Sequence, residues 1–167
     1  MKVYLATDHA GFELKEKVKK FLIENGYQFE DCGALSFDPS DDYPDFISKA
    51  SLAVSQDPEN SKGIVFGGSG QAEAMVANKF KNIRCAVFYT PIAPREAVDI
   101  TGRKSSDPFE IIRLTREHNN ANMLSIGARF VTKEEANLAV KIWLDTTFKN
   151  EERHARRLRK IKEIELD

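Results

Sequence analysis

The sequence predicts an α/β fold: three Rossmann-like layers, with an open parallel five-stranded sheet between helices and an extended C-terminal helix. Three observations carry that expectation. Short β-branched runs alternate with longer segments of helical periodicity. Loops rich in Gly, Asp and Asn follow several of these runs. The 167 residues, 41% of them hydrophobic, suffice to bury a sizeable core in one domain spanning 1–167.

The elements follow in order. Val3 to Ala6 reads as a strand ending at Asp8-His9-Ala10-Gly11. Leu14, Val18, Phe21 and Leu22 share one face of a helix that Asn25-Gly26 stops. Tyr27–Asp31 is a second strand, and 32–43 a loop. Pro44 suits the first turn of a helix running to Val54. Gly63–Phe66 is a third strand, Gln71–Phe80 a helix and Ile83–Tyr89 a fourth strand. The stretch from Thr90 to Glu110 has no regular pattern. Ile111–Glu117 reads as a helix and Met123–Ile126 as the fifth strand. Ala136, Ala139, Val140, Trp143 and Leu144 form an apolar helical stripe, and a charged helical tail occupies 150–167. In open parallel sheets ligands collect beyond the carboxyl ends of the strands. Segments 8–11, 32–43, 67–73, 90–110 and 118–129 are therefore expected around the site.

Composition excludes several function classes. Twenty-five basic against 26 acidic residues leave a net charge of -1, which offers no global attraction for nucleic acid or an anionic membrane. No run of 18 apolar residues is present, and the opening MKVYLATDHAG is not expected to act as a secretory leader. Cys32 and Cys85 suggest neither zinc nor a disulfide, so a cytoplasmic protein with no metal and no cofactor is expected.

Three segments carry chemistry. Gly67-Gly68-Ser69-Gly70-Gln71-Ala72-Glu73 joins a buried strand to a helix. Its glycines allow close backbone approach, although the spacing is neither G-x-G-x-x-G nor a P-loop. Glu73 reads in two ways: an acid favoured by the helix dipole, or a carboxylate base beside N–H donors. The second suits removal of a proton next to a carbonyl. His118-Asn119-Asn120 and His9 are surface or structural residues, or proton-transfer groups. In the tail, Arg153 and Arg157 share a helix face and together fit one phosphate; the other charges read as a solvated face. RNA binding by this tail is a weaker reading, because it lacks interleaved aromatics.

DHAGFELK (8–15), DYPD (42–45), GIVFGGSGQAE (63–73), ANK (77–79), IRCA (83–86), REHNNANML (116–124), IGAR (126–129) and RHARR (153–157) follow one another in this order. Together they resemble the type B ribose-5-phosphate isomerases, a family that also holds galactose-6-phosphate isomerase subunits. The resemblance spans 1 to about 160. It implies a metal-free aldose–ketose isomerase of sugar phosphates, acting through a cis-enediolate in carbohydrate metabolism. Ribose 5-phosphate to ribulose 5-phosphate, a step of the pentose phosphate pathway, is the leading reaction. An allose or galactose 6-phosphate isomerase is the alternative, and a non-catalytic sugar-phosphate or nucleotide-binding module the rival.

Roles follow from the same resemblance. His118 is implied as the general acid/base of ring opening. Asp8, His9, Tyr43 and Asn119, with Gly68, Gly70, Gln71 and Ala72 of the glycine loop, are implied at the sugar. Arg129, Arg153, Arg157 and His9 are implied at the phosphate. The family shares its site between the subunits of a homodimer, which can pair further into a tetramer. Many members place a catalytic Cys directly after the third strand, where this chain has Gly67. A second branch uses a Glu six positions later, here Glu73, with Ser69 as an auxiliary hydroxyl. The chain departs from the family at about 91–108, where some 16 additional residues are expected at the site rim, as a lid, an interface extension or a change in the sugar pocket.

Overall fold

The computed structural model of the chain describes residues 1–165. The last two residues of the expected tail therefore lie outside the described residues. Five parallel strands form one sheet in the order β2-β1-β3-β5-β4: β1 Lys2–Thr7, β2 Phe29–Asp31, β3 Ser61–Gly67, β4 Cys85–Phe88 and β5 Met123–Gly127. Six α-helices complete the order: α1 Phe12–Glu24, α2 Pro44–Gln56, α3 Gln71–Ala77, α4 Glu110–Glu117, α5 Lys133–Asp145 and α6 Glu152–Ile164. The parallel three-layer expectation is met.

Alternation along the strands explains the layers. Leu5, Ile64, Phe66, Leu124 and Ile126 point to one face, where α1, α4 and α5 bring Val18, Leu22, Ile112, Val140 and Trp143. Ala6, Val65 and Met123 point to the other and meet Ile47, Ala50 and Val54 of α2 and Ala77 of α3. β3 is buried at every position because both of its faces are covered. Each fully buried aliphatic side chain of these layers contributes about 1.5–3 kcal/mol. α5 begins with a reciprocal cap: Thr132 Oγ1 accepts from the Glu135 amide, and Glu135 accepts from the Thr132 amide.

Three expectations need correction. The helix expected over Gln71–Phe80 stops at Ala77, because the Asn78 side chain turns aside to bond both the N–H and the C=O of Cys85. That same clamp, followed by Asn82 at φ 64°, delays β4 to Cys85 and leaves Ile83 outside the strand. Cys85 is half-buried on the edge strand, packed against the core between the sheet and α2 and α3, and burial pushes its thiol up.

The third correction concerns placement. β5 begins at Met123, so His118 to Asn122 lie at its amino end, not at the carboxyl edge where ligands were expected. Five residue steps, about 16 Å of strand, separate Asn122 from Gly127.

Candidate active site

At the carboxyl edge, β1 ends at Thr7 and Asp8 caps a short 3-10 turn over His9–Gly11 by accepting from the Ala10 amide at 2.9 Å. Asp41, from the 32–43 loop, accepts from both the amide and the ring Nδ1 of His9, at 2.9 and 2.8 Å. That carboxylate bond, ahead of the charge of Asp8, raises the imidazole pKa and favours a cationic ring. Asp8, His9 and Asp41 also satisfy metal-site spacing, with one ligand atom each within 4.8 Å of the others. His9 Nδ1 and Asp41 Oδ1 are spent on each other, however, so the trio works as an imidazole–carboxylate pair. Tyr43 lies half-buried against the second core at the start of α2.

The glycine loop follows β3. A Cβ on Gly67 would stand 1.9 Å from Glu73 Oε1, so the carboxyl of Glu73 fills the space of a side chain at 67. A thiol at 67 and this carboxylate are therefore mutually exclusive in one backbone. Gly70 at φ 74° turns the chain into α3, and its carbonyl accepts from Ser125 Oγ at 2.6 Å. Ser69 Oγ faces the Gln71 amide at 3.4 Å. Gln71 is exposed and Ala72 half-buried at the head of α3.

Glu73 is 4% exposed, and its Oε2 is buried without a hydrogen-bond partner. Burial raises its pKa above the ordinary carboxylate range, its own amide opposes the shift, and Asp8 adds to it. A carboxylate desolvated in this way has a raised affinity for a proton. Above the loop, the Arg129 guanidinium lies 3.1 Å from where a Cβ on Gly68 would stand. Its backbone is fixed by Ala128 N–H to the Gly67 carbonyl and Arg129 N–H to the Gly68 carbonyl. Among the described residues no carboxylate pairs with Arg129.

A second cluster stands at the amino edge. His118 ends α4 and stacks on the buried His154 of α6, with ring centroids 4.2 Å apart. Burial, and then the charge of Arg153, lower its pKa and favour the neutral imidazole. Asn119 is exposed beside it. Arg153 Nε donates to Glu151 at 2.8 Å, whereas Arg157 is exposed and unpaired among the described residues. Within one chain the clusters do not meet. Glu73, Asp8, His9, Ser69 and Arg129 belong to the carboxyl edge; His118, Asn119, Arg153 and Arg157 belong to the amino edge.

Sequence reasoning missed the residues that hold these groups. Asp41 was hidden in an acidic loop. Arg84 Nε donates to the carbonyls of Asn119 and Asn120, and Arg116 Nη1 to Asn120 Oδ1 and the Ala121 carbonyl, so both arginines grip the turn after His118. Positive φ at Asn120, 43°, lets the turn present its carbonyls to them. Only the positions of Arg84 and Arg116 inside IRCA and REHNNANML signalled this.

A parallel α/β sheet with a buried carboxylate against a glycine loop at its carboxyl edge defines a class of proton-transferring enzymes. The family profile described as Ribose/Galactose Isomerase matches residues 3–101 and 106–161, and the chain belongs to that family. It is thus an isomerase. Ribose-5-phosphate isomerase B of Mycolicibacterium paratuberculosis is 40% identical over 165 residues, covering 99% of this chain and 92% of the relative. The crystal structure of ribose-5-phosphate isomerase B from Mycoplasma genitalium with bound ribulose-5-phosphate matches with a TM-score of 0.85 at 30% identity, over 99% of this chain and 97% of that one. The enzyme of the same name from Clostridium thermocellum matches with a TM-score of 0.82 at 36% identity, over 99% and 97%.

Proposed function

We propose that this protein interconverts ribose 5-phosphate and ribulose 5-phosphate through a cis-enediolate, in a site built jointly by two subunits of a dimer. The single observation that carries the reading is the buried Glu73 carboxyl, its Oε2 without a partner, in the space left by Gly67. One subunit supplies the carboxyl-edge groups, and its partner supplies the amino-edge groups. The relatives named above support the choice of sugar.

His118, neutral before the reaction, exchanges the proton that opens the furanose ring. Glu73 then takes the proton from C2 of the open aldose. Charge moves onto the carbonyl oxygen at C1, where the loop amides and the Ser69 hydroxyl stabilise it. Ser69 helps the proton pass between the two oxygens, and Glu73 returns its proton to C1 to give the ketose. Asp8, Tyr43 and Asn119 orient the sugar. His9, Arg129, Arg153 and Arg157 bind the phosphate, the last two reaching it across the interface. The chemistry needs no external oxidant or reductant, because C2 is oxidised as C1 is reduced: one C–H bond breaks at C2 and another forms at C1. No described helix is long and apolar enough to cross a membrane. The proposed reaction calls for no cofactor, and the two free cysteines suit a cytoplasmic enzyme.

The test is turnover of a panel containing ribose, allose and galactose phosphates, with solvent deuterium followed into the substrate. Ribose 5-phosphate is expected to turn over fastest and to exchange its C2 hydrogen. A preference for a hexose 6-phosphate would replace the substrate, and no exchange with any sugar would reduce the site to a binding module.

A further inference from the structure

The segment expected as an insertion, 91–108, is not a loose rim; the family profile leaves 102–105 of it unmatched. Ile92 N–H donates to the Pro108 carbonyl and Val98 N–H to the Arg103 carbonyl, which folds the segment back on itself. Asp99 closes its tip by accepting from the amide and hydroxyl of Thr101 and the amide of Arg103. The guanidinium of Arg103 then leaves the insertion. It pairs with Asp99 at 3.2 Å, Glu110 at 2.8 Å and Glu117 at 3.4 Å.

Glu110 and Glu117 are the first and last residues of α4, two turns apart on one face. A helix of eight residues has little stability of its own. The carboxyl of Glu110 is 4% exposed, so loss of its partner would strand a buried charge. Glu117 also pairs with Lys149 at 2.7 Å and directly precedes His118.

We propose that Arg103 is a positioning residue for His118, and that the insertion braces α4 from end to end so that the imidazole is held at a fixed place and in a fixed field. This rests on the isomerase reading above. It differs from a lid or a pocket wall because the charged contacts of Arg103 lie on Asp99, Glu110 and Glu117, not at the Gly67–Glu73 loop. The charged and titratable groups around His118 are Glu117 on its own helix, Lys149 and Glu151 before α6, and Arg153 and His154 on α6. Arg103 and Lys149 together compensate Glu117. Removing Arg103 leaves the carboxylate to Lys149 alone and better able to stabilise the imidazolium, so the His118 pKa rises.

The test uses the full chain with Arg103→Met, Arg103→Lys and Glu117→Gln. Two readouts are followed: the pH profile of turnover, and NMR titration of the His118 ring. Arg103→Met is expected to lower kcat about tenfold, the size of an ordinary coupling between neighbours, while KM stays within about twofold. The His118 titration should move upward, Arg103→Lys should restore part of both effects, and Arg103→Met added to Glu117→Gln should move the titration no further. Unchanged kcat and titration in Arg103→Met would overturn the brace, as would a rise in KM alone. If Arg103→Met does not fold, an unmoved His118 titration in Arg103→Lys and Glu117→Gln overturns it instead. A wild-type protein that isomerises no phosphosugar sinks the isomerase reading, while the NMR titration still decides the brace.

Discussion

Glu73 and Gly67 work as one unit, since the carboxyl of one occupies the side-chain space of the other. Glu73→Gln keeps the shape and removes the base, so turnover should fall at least about 10³-fold in a coupled assay, with substrate still protecting the protein against heat. Gly67→Ala removes no chemical group, yet its methyl would displace the carboxyl. It should lose activity by a comparable factor in the same assay, and near-normal turnover would show that Glu73 does its work elsewhere. The raised pKa of Glu73 has a consequence for stability as well. The folded state holds the proton more tightly than the unfolded chain, so this contribution is fully present below the ordinary glutamate pKa. It is lost as pH rises through the folded-state value. At neutral pH the enzyme therefore carries a destabilising buried charge, and Glu73→Gln should raise Tm there. The gain should vanish in scans below about pH 4, under the unfolded-state pKa. Activity runs the other way, because the base must be ionised, and its acid limb should lie above the usual carboxylate range.

The turn from His118 to Asn122 shows what a short irregular segment needs in order to carry chemistry. Its amides close the end of α4, Asn120 N–H on the Arg116 carbonyl and Ala121 N–H on that of Thr115, while the side chains of Arg84 and Arg116 satisfy its carbonyls. Arg84→Met should leave the sheet intact by circular dichroism while lowering kcat about tenfold or more, as expected when a reacting group loses its alignment. An unchanged kcat would mean that the turn holds itself. The strands and the apolar helix stripes were legible because alternation and 3.6-residue periodicity follow directly from two-sided burial, as at Ile64, Val65 and Phe66. The end of α3 was not, because Asn78 spends its side chain on Cys85, a contact made through the sheet edge rather than along the chain. The supports of the site escaped for the same reason. Asp41 meets His9 across 32 positions, and Arg84 meets Asn120 across 36. Glu73 itself was legible as one of two readings, and the burial of its carboxyl against Gly67 supports the base proposed above.

Across the whole molecule, the parallel sheet is what motivates the shared-site proposal. Glu73 stands at the carboxyl edge and His118 at the amino edge, so a single chain cannot close both on one sugar. The two-fold dimer proposed above would do so by setting the amino edge of each subunit against the carboxyl edge of the other, which makes two equal sites. This arrangement makes a mixing experiment decisive. Glu73→Gln alone and His118→Ala alone should each be nearly inactive. In a mixed dimer one site combines both defects, and the other combines the intact Glu73 of one subunit with the intact His118 of its partner. After subunit exchange at equal concentrations, half of the dimers are mixed, and each has one working site of two. Activity should therefore recover to about a quarter of the wild-type value for the same total protein, as random pairing of interchangeable subunits requires. A site completed within one chain would recover nothing on mixing, and that result would overturn the shared-site reading even if both residues proved essential.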